Sequence, residues 1–362
     1  MGFKEDFQLI KDLTEIQGCT GNEAKIRQYI FDQVKSYCDN IEIDTIGNLI
    51  CHLNGKKNTS EPKHNILLDA HMDEIGFMVR YIDKDGFIRF VSVGGQNARI
   101  LPGQTVVIHS SSGKDIIGVI GEKAIHLISK DERKKVNSVE DLFIDVGLSS
   151  DEEAKKYIAV GDYITLKQEC HFFITKKRIF AKALDNRLSC FILIKLIKEL
   201  ASIRDDLDKN LIFLFAVQEE IGVRGATVGA YKLNPNFAIA LDVTHAIDYP
   251  GVNKSKHREC YLGCGAAIAV GPNLDPKLTK ALINVAREES IPFVLEAEAH
   301  PTPTDARAIQ MTKEGIPCAL IGTPLRYMHT NIESFEYEDA LHLLKLLKSF
   351  LLKKIDFMKL DG

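Results

Sequence analysis

Two histidines and a set of carboxylates occur in this chain at one recurring kind of place, just past a short apolar run. His71-Met-Asp73 follows residues 65–70, Asp185 follows 178–184, and Glu219 with Glu220 follows 211–218. Asp242 follows 237–241, and His329 comes shortly after 318–321. Neutral imidazoles and carboxylates are the donors that zinc-like divalent ions take at about 2.0–2.2 Å. Ionised Asp185, Glu220 and Asp242 together neutralise three of the four positive charges of two such ions. A pair of ions acidifies water and clamps a substrate oxygen, the logic of two-metal hydrolysis.

Each position alone has a plainer reading. Asp185 suits the cap of a following helix, Glu219-Glu220 suits a charged loop, and His329 suits an ordinary loop. His71 and Asp73 alternate, so in an extended segment they share one face. Asp73 can then hold the second imidazole nitrogen of His71. The weight lies in the coincidence. In open α/β sheets the carboxyl ends of the strands face one crevice, so five strand ends deliver both histidines and the carboxylates to one edge.

The elements that position these residues follow from periodicity. Phe7, Leu9, Ile10, Leu13 and Ile16 give residues 1–18 an amphipathic helical pattern. Thr20-Gly-Asn-Glu23 fits a capping box opening a helix with Ile26, Tyr29, Ile30 and Val34 inward. Between about 76 and 176 short alternating segments are punctuated by turns such as Asp83-Lys-Asp-Gly86 and Ser110-Ser-Ser-Gly113. That texture predicts a small β-barrel or sandwich, with a short helix near 151–157 capped by Ser149 or Ser150. After 177 strands and helices alternate, so helices cover a largely parallel sheet. Asp275-Pro276 marks the N-cap and first position of a helix to about 289, and 334–354 reads as a closing helix. The β-rich part lies between two α/β stretches and reads as an insertion.

Length and composition bound the rest. The chain has 362 residues, enough for about two domains. A net charge of -4, from 46 basic and 50 acidic residues, argues against a dedicated nucleic-acid partner. No run of about 18 apolar residues predicts a membrane span, and the charged opening segment does not read as a secretory signal. Eight scattered cysteines without a CxxC pair read as reduced thiols of a cytoplasmic protein.

The segments His71-Met-Asp-Glu-Ile-Gly-Phe77, Lys182-Ala-Leu-Asp-Asn-Arg187, Val217-Gln-Glu-Glu-Ile-Gly-Val-Arg-Gly225, Leu241-Asp-Val-Thr-His-Ala246 and Arg326-Tyr-Met-His-Thr330 resemble, in order, the tetrahedral (TET-type) metallo-aminopeptidases. This family includes glutamyl and deblocking aminopeptidases and relatives once labelled endoglucanases. The resemblance covers essentially the whole chain.

It implies an α/β catalytic domain of aminopeptidase/phosphorylase type, residues 1–75 and 177–362, with a mixed, largely parallel sheet. An inserted β-barrel, residues 76–176, would mediate dimers, and dimers would build a hollow tetrahedral dodecamer. His71 and Asp242 would bind one divalent metal, Glu220 and His329 a second, and Asp185 would bridge both, with a cis peptide to Asn186. The metal would be zinc, with cobalt or manganese as alternatives. Asp73 would orient His71. Glu219 would be the general base, taking a proton from the attacking water and passing it to the leaving amine. Short peptides would lose one N-terminal residue at a time.

One stretch departs from the family pattern. His300-Pro-Thr-Pro-Thr-Asp-Ala306 stands where many relatives have a Gly-rich approach, and it is expected to border the first-residue pocket. Glu298, Arg307 and Arg326, nearby in sequence, read either as biasing charge preference there or as surface and structural charges. His245 reads as supporting or structural. The competing readings are a two-metal amidohydrolase or deacylase, a non-catalytic shell or binding protein that kept the fold, and a glycoside hydrolase. The adjacency of Glu219 and Glu220 and the absence of Trp disfavour the last.

Overall fold

The computed structural model describes residues 2–59, 63–131, 134–175, 177–253 and 259–353. The first two helices are α1 (Phe3–Glu15) and α2 (Ala24–Val34). The capping box is not formed: Glu23 is the N-cap of α2 without a side-chain cap. Thr20 instead donates to Asp73 Oδ2 at 2.7 Å, and Glu23 accepts from the Gly21 amide at 2.7 Å. Three strands follow, β1 (Asn40–Ile43), β2 (Leu49–Asn54) and β3 (Asn65–His71).

The next six strands close into a barrel: β4 (Gly76–Ile82), β5 (Ile88–Val93), β6 (Thr105–His109), β7 (Asp115–Gly121), β8 (Phe143–Asp145) and β9 (Tyr163–Leu166). All neighbouring pairs are antiparallel, as in β6 against β7, where Thr105 lies opposite Val119. Alternation along each strand sends Phe77, Phe90, Ile108, Ile144 and Ile164 inward. Phe77 and Phe90 meet edge to face, centroids 5.1 Å apart. The short helix α3 (Asp151–Ala154) lies between β8 and β9, and the Ser150 hydroxyl accepts from the Glu153 amide.

Beyond the barrel come β10 (His171–Phe172), β11 (Arg178–Ala181), α4 (Leu184–Ala201), β12 (Asn210–Ala216), α5 (Arg224–Leu233) and β13 (Phe237–His245). The chain ends with β14 (Ala266–Val270), α6 (Pro276–Glu288), β15 (Phe293–Ala297), α7 (Asp305–Gln310), β16 (Cys318–Leu325), β17 (Glu333–Glu336) and α8 (Tyr337–Leu352). Asp275 caps α6 as expected, accepting from the Leu278 amide at 2.7 Å with Pro276 in the first turn. Residues 334–336 are not helix: they pair antiparallel with β11. Met1 and Lys354, the ends of two expected helices, lie outside the described residues.

The main sheet has eight strands in the order β1-β2-β12-β3-β13-β16-β14-β15. Its centre is parallel: β12 pairs β3, β3 pairs β13, and β13 pairs β16. These strands are apolar on both faces because helices cover both. On one face α4, α6 and α8 share a cluster with Phe213, Phe215 and Ile239. On the other, Ala226, Ala230, Ala306 and Ile309 of α5 and α7 pack on Leu67 and Leu214. α4 is buried nearly all round, and its Lys195 is held by Asp6 of α1, both carboxylate oxygens at 2.7 Å. Strands β14 and β15, which the sequence reading does not name, extend the sheet beyond β16, β14 pairing antiparallel with β16 and parallel with β15. The structure is thus the expected mixed α/β fold carrying a closed β-barrel. Among the described residues no helix is long and apolar enough to cross a membrane.

Candidate metal centre

Four neighbouring strands deliver most of the predicted residues. His71 ends β3, Glu219 and Glu220 follow β12, Asp242 lies within β13, and His329 follows β16. Asp242 is not beyond its strand, because β13 continues to His245. Asp185 arrives differently from the expectation. Its preceding strand, β11, belongs to a separate three-stranded sheet with β10 and β17. Asp185 sits in the first turn of α4, where its peptide bond to Asn186 is cis. Asn186 Nδ2 donates to the Leu241 carbonyl at 2.8 Å, tying this turn to β13 beside Asp242.

A glycine permits one of these approaches. A Cβ on Gly225 would stand 2.3 Å from the Val217 carbonyl oxygen and 2.5 Å from Asn48 Oδ1. The start of α5 can therefore press against the end of β12, which sets the tight turn that carries Glu219 and Glu220.

The donors converge. His71 Nε2 lies 3.2 Å from Asp185 Oδ1, 3.9 Å from Asp242 Oδ1 and 4.0 Å from Glu219 Oε2. His329 Nε2 lies 3.4 Å from the other Asp185 oxygen, Oδ2, and 3.6 Å from Glu220 Oε1. Three groups offer ligand atoms within 4.8 Å of one another: His71/Asp185/Asp242, Asp185/Glu220/His329 and His71/Glu219/Glu220. Nitrogen and oxygen donors of this kind, buried and aimed at common points, fit divalent cations of the zinc, cobalt or manganese type.

Two buried carboxylates hold the donors in place. Asp73 is completely buried and lies 3.4 Å from His71 Nδ1 through Oδ1. It also accepts from the backbone amides of Glu219 at 3.0 Å and Glu220 at 3.2 Å. Glu333 does the same on the other side, accepting from the amide of Asp185 at 3.0 Å and that of His329 at 2.8 Å. His329 Nδ1 meets the Gly95 carbonyl at 2.9 Å. Sequence reasoning missed Thr20, Glu333 and Gly95. Glu333 had one usable signal, a carboxylate four residues after His329.

Crowding sets the electrostatics. Burial raises the Glu219 carboxyl to about 7 against the opposing charge of His71. Burial and then the charge of Asp185 raise Glu220 to about 9, and the same two causes lift Asp242 well above the carboxylate range. Burial works against Asp185 too, but hydrogen bonds with His329 and His71 outweigh it and hold that carboxyl low. Its hydrogen bond with Asp185 raises His329 to about 10. A divalent cation competes directly with protons at such donors.

The donors line a cavity of about 610 Å³. Thr302, Pro303 and Thr304 of the proline-rich loop line it, as expected, with Glu298, Arg307 and His245. Arg326 does not: it pairs with Asp248 at 2.6 Å.

Comparison with known proteins gives the family of the chain. The profile of the M42 glutamyl aminopeptidase family matches residues 47–346. A lysyl aminopeptidase of Pyrococcus furiosus is 35% identical over 360 residues, covering 97% of this chain and 99% of that one. An aminopeptidase of the archaeon Desulfurococcus kamchatkensis superposes with a TM-score of 0.90 at 34% identity, covering 99% and 98% of the two chains. The TET1 peptidase of Pyrococcus horikoshii, described as assembling into a tetrahedron or a large octahedral shell, superposes with a TM-score of 0.85 at 29% identity, covering 96% and 100%. The chain belongs to the M42 glutamyl aminopeptidase family and is a hydrolytic exopeptidase.

Proposed function

We propose that this aminopeptidase works with two divalent metal ions per subunit, zinc first, and removes single N-terminal residues from short peptides. One observation carries the reading: the two oxygens of Asp185 face two different histidines, at 3.2 and 3.4 Å. One carboxylate is thereby shared between two donor groups. His71 and Asp242 complete one group, and Glu220 and His329 complete the other. When bound, such ions supply Lewis acidity, acidifying a water molecule and polarising a carbonyl.

The protein's own residues do the rest. Glu219 lines the cavity without being needed to complete either group, and burial holds its carboxyl near neutrality. That suits a general base that takes a proton from the attacking water and returns it to the leaving amine. Asp73 turns Nδ1 of His71 toward itself, leaving Nε2 for the cavity, and fixes the backbone of Glu219 and Glu220. Glu333 fixes the backbone of Asp185 and His329.

Residues 1–75 and 177–362 form the catalytic part in this reading, and 76–176 the barrel through which subunits pair. Support for assembly toward a tetrahedral dodecamer comes from two similar solved structures, one of a TET1 dodecamer and one of a TET1 peptidase that forms a tetrahedron or a large octahedral shell. None of the eight cysteines is in a disulfide and seven are buried, in keeping with a reducing, cytoplasmic setting.

The test is a kinetic panel of amino-acid amides and N-acyl amino acids on metal-reconstituted protein, with sizing by light scattering. Release of free amino acids from amides supports the reading. Turnover of N-acyl amino acids alone would make the enzyme a deacylase.

A further inference from the structure

A second groove opens beside the cavity, between α5 and the segment that begins with α7, with a volume of about 590 Å³. Val223, Val228, Tyr231 and Met311 give it an apolar lining, with Lys313 packed over the Tyr231 ring at 4.9 Å. Met311 is 78% exposed and Tyr231 63%, large side chains for so open a position. Arg307 lines both this groove and the cavity, so the two adjoin at that side chain. Its charge is close enough to act on Glu219.

The direction of the reaction says which end of a substrate lies here. Resting on the reading of Glu219 as the group that protonates the leaving amine, the leaving nitrogen must lie on the Glu219 side of the cavity. The chain that follows the scissile bond continues from that nitrogen. α5 starts four residues after Glu220, and Arg307 marks the passage, so the groove is the surface that this chain meets first. Glu296 of β15, Glu298 just past it and Thr302 of the proline-rich loop line the cavity from other elements.

We propose that the groove between α5 and α7 binds the peptide segment following the scissile bond, and that it favours apolar side chains there. Partial burial of one apolar side chain in so open a groove corresponds to about tenfold in affinity.

The test uses the metal-loaded enzyme and three substrates sharing the first residue that is best in the amide panel: its amide, a tetrapeptide continuing Val-Phe-Ala, and one continuing Gly-Gly-Gly. The expected result is a kcat/KM about tenfold higher for the Val-Phe-Ala peptide than for the Gly-Gly-Gly peptide, expressed in KM. Met311→Asp and Tyr231→Ser should each reduce that preference toward unity, with each rate taken relative to the same variant's amide hydrolysis. An undiminished preference in both variants, with amides still turned over, overturns the proposal alone. So does a change in particle size on substitution without a change in preference, which would make the groove a subunit contact. Failure of the metal-loaded wild type to cleave amides or peptides would instead overturn the aminopeptidase reading, and this proposal with it.

Discussion

The main sheet and the barrel are built by opposite rules. The sheet's central strands are parallel and apolar on both faces, so their side chains fill two cores and their chemistry is pushed to the strand ends. The barrel's strands are antiparallel and alternate, with a small apolar interior. Near the site the barrel side contributes the Gly95 carbonyl, just past β5, against His329. Hydrophobic cores are present in both regions, whereas the histidines and carboxylates that could hold metal are gathered at one edge of one of them.

The sharpest way to break this division is Glu219→Gln. The account expects kcat to fall by about 10²–10⁴-fold, while metal content stays that of the wild type because Gln keeps the shape. Elemental analysis beside amide kinetics checks both halves. A near-full rate would mean the base is elsewhere.

The converse substitution is Ile108→Ala in the barrel interior. Ile108 is completely buried, so its truncation should cost about 2–5 kcal/mol of stability. Denaturant unfolding should show that loss, with kcat per folded molecule unchanged. A tenfold fall in kcat would show that barrel packing reaches the site.

Legibility followed the same division. His71, Glu219, Glu220, Asp242 and His329 could be named because each ends, lies in or follows a run whose apolarity reports a buried strand. Asp185 instead follows the half-buried β11 of the small sheet, and the structure brings all six to one cavity. The barrel's alternation was equally readable. What failed were features set by distant partners. Thr20 and Glu23 have capping-box spacing, but Thr20 finds a better acceptor in Asp73, 53 positions away. Residues 334–336 look helical until β11 offers an antiparallel edge. Glu333 is one acidic residue among 50, and only the folded chain sets it against the amides of Asp185 and His329.

Glu333→Gln probes that supporting layer. Gln keeps one acceptor oxygen for two amides, so metal affinity should weaken by about 10–100-fold, measured by competition with a chelating dye. Unchanged affinity would reduce Glu333 to a packing role.

The smallest expected effect is on protons. Burial first, then the charge of Asp185, puts Glu220 at about 9, so at pH 7 that carboxyl holds its proton before metal arrives. Coordination needs the carboxylate, so metal uptake releases protons and affinity rises as pH climbs from 7 toward 9. Calorimetry in buffers of different ionisation enthalpy reads the number released. Uptake without proton release would contradict the assignment of Glu220 as a donor.

The central claim is that one shared carboxylate, Asp185, joins two metal groups. It is tested most directly by titrating chelated protein with zinc while following bound metal and amide hydrolysis together. The account predicts two equivalents per chain in the wild type, no turnover before metal is added, and loss of the two-site stoichiometry in Asp185→Ala. Saturation at one equivalent, or full turnover by the chelated protein, would contradict it.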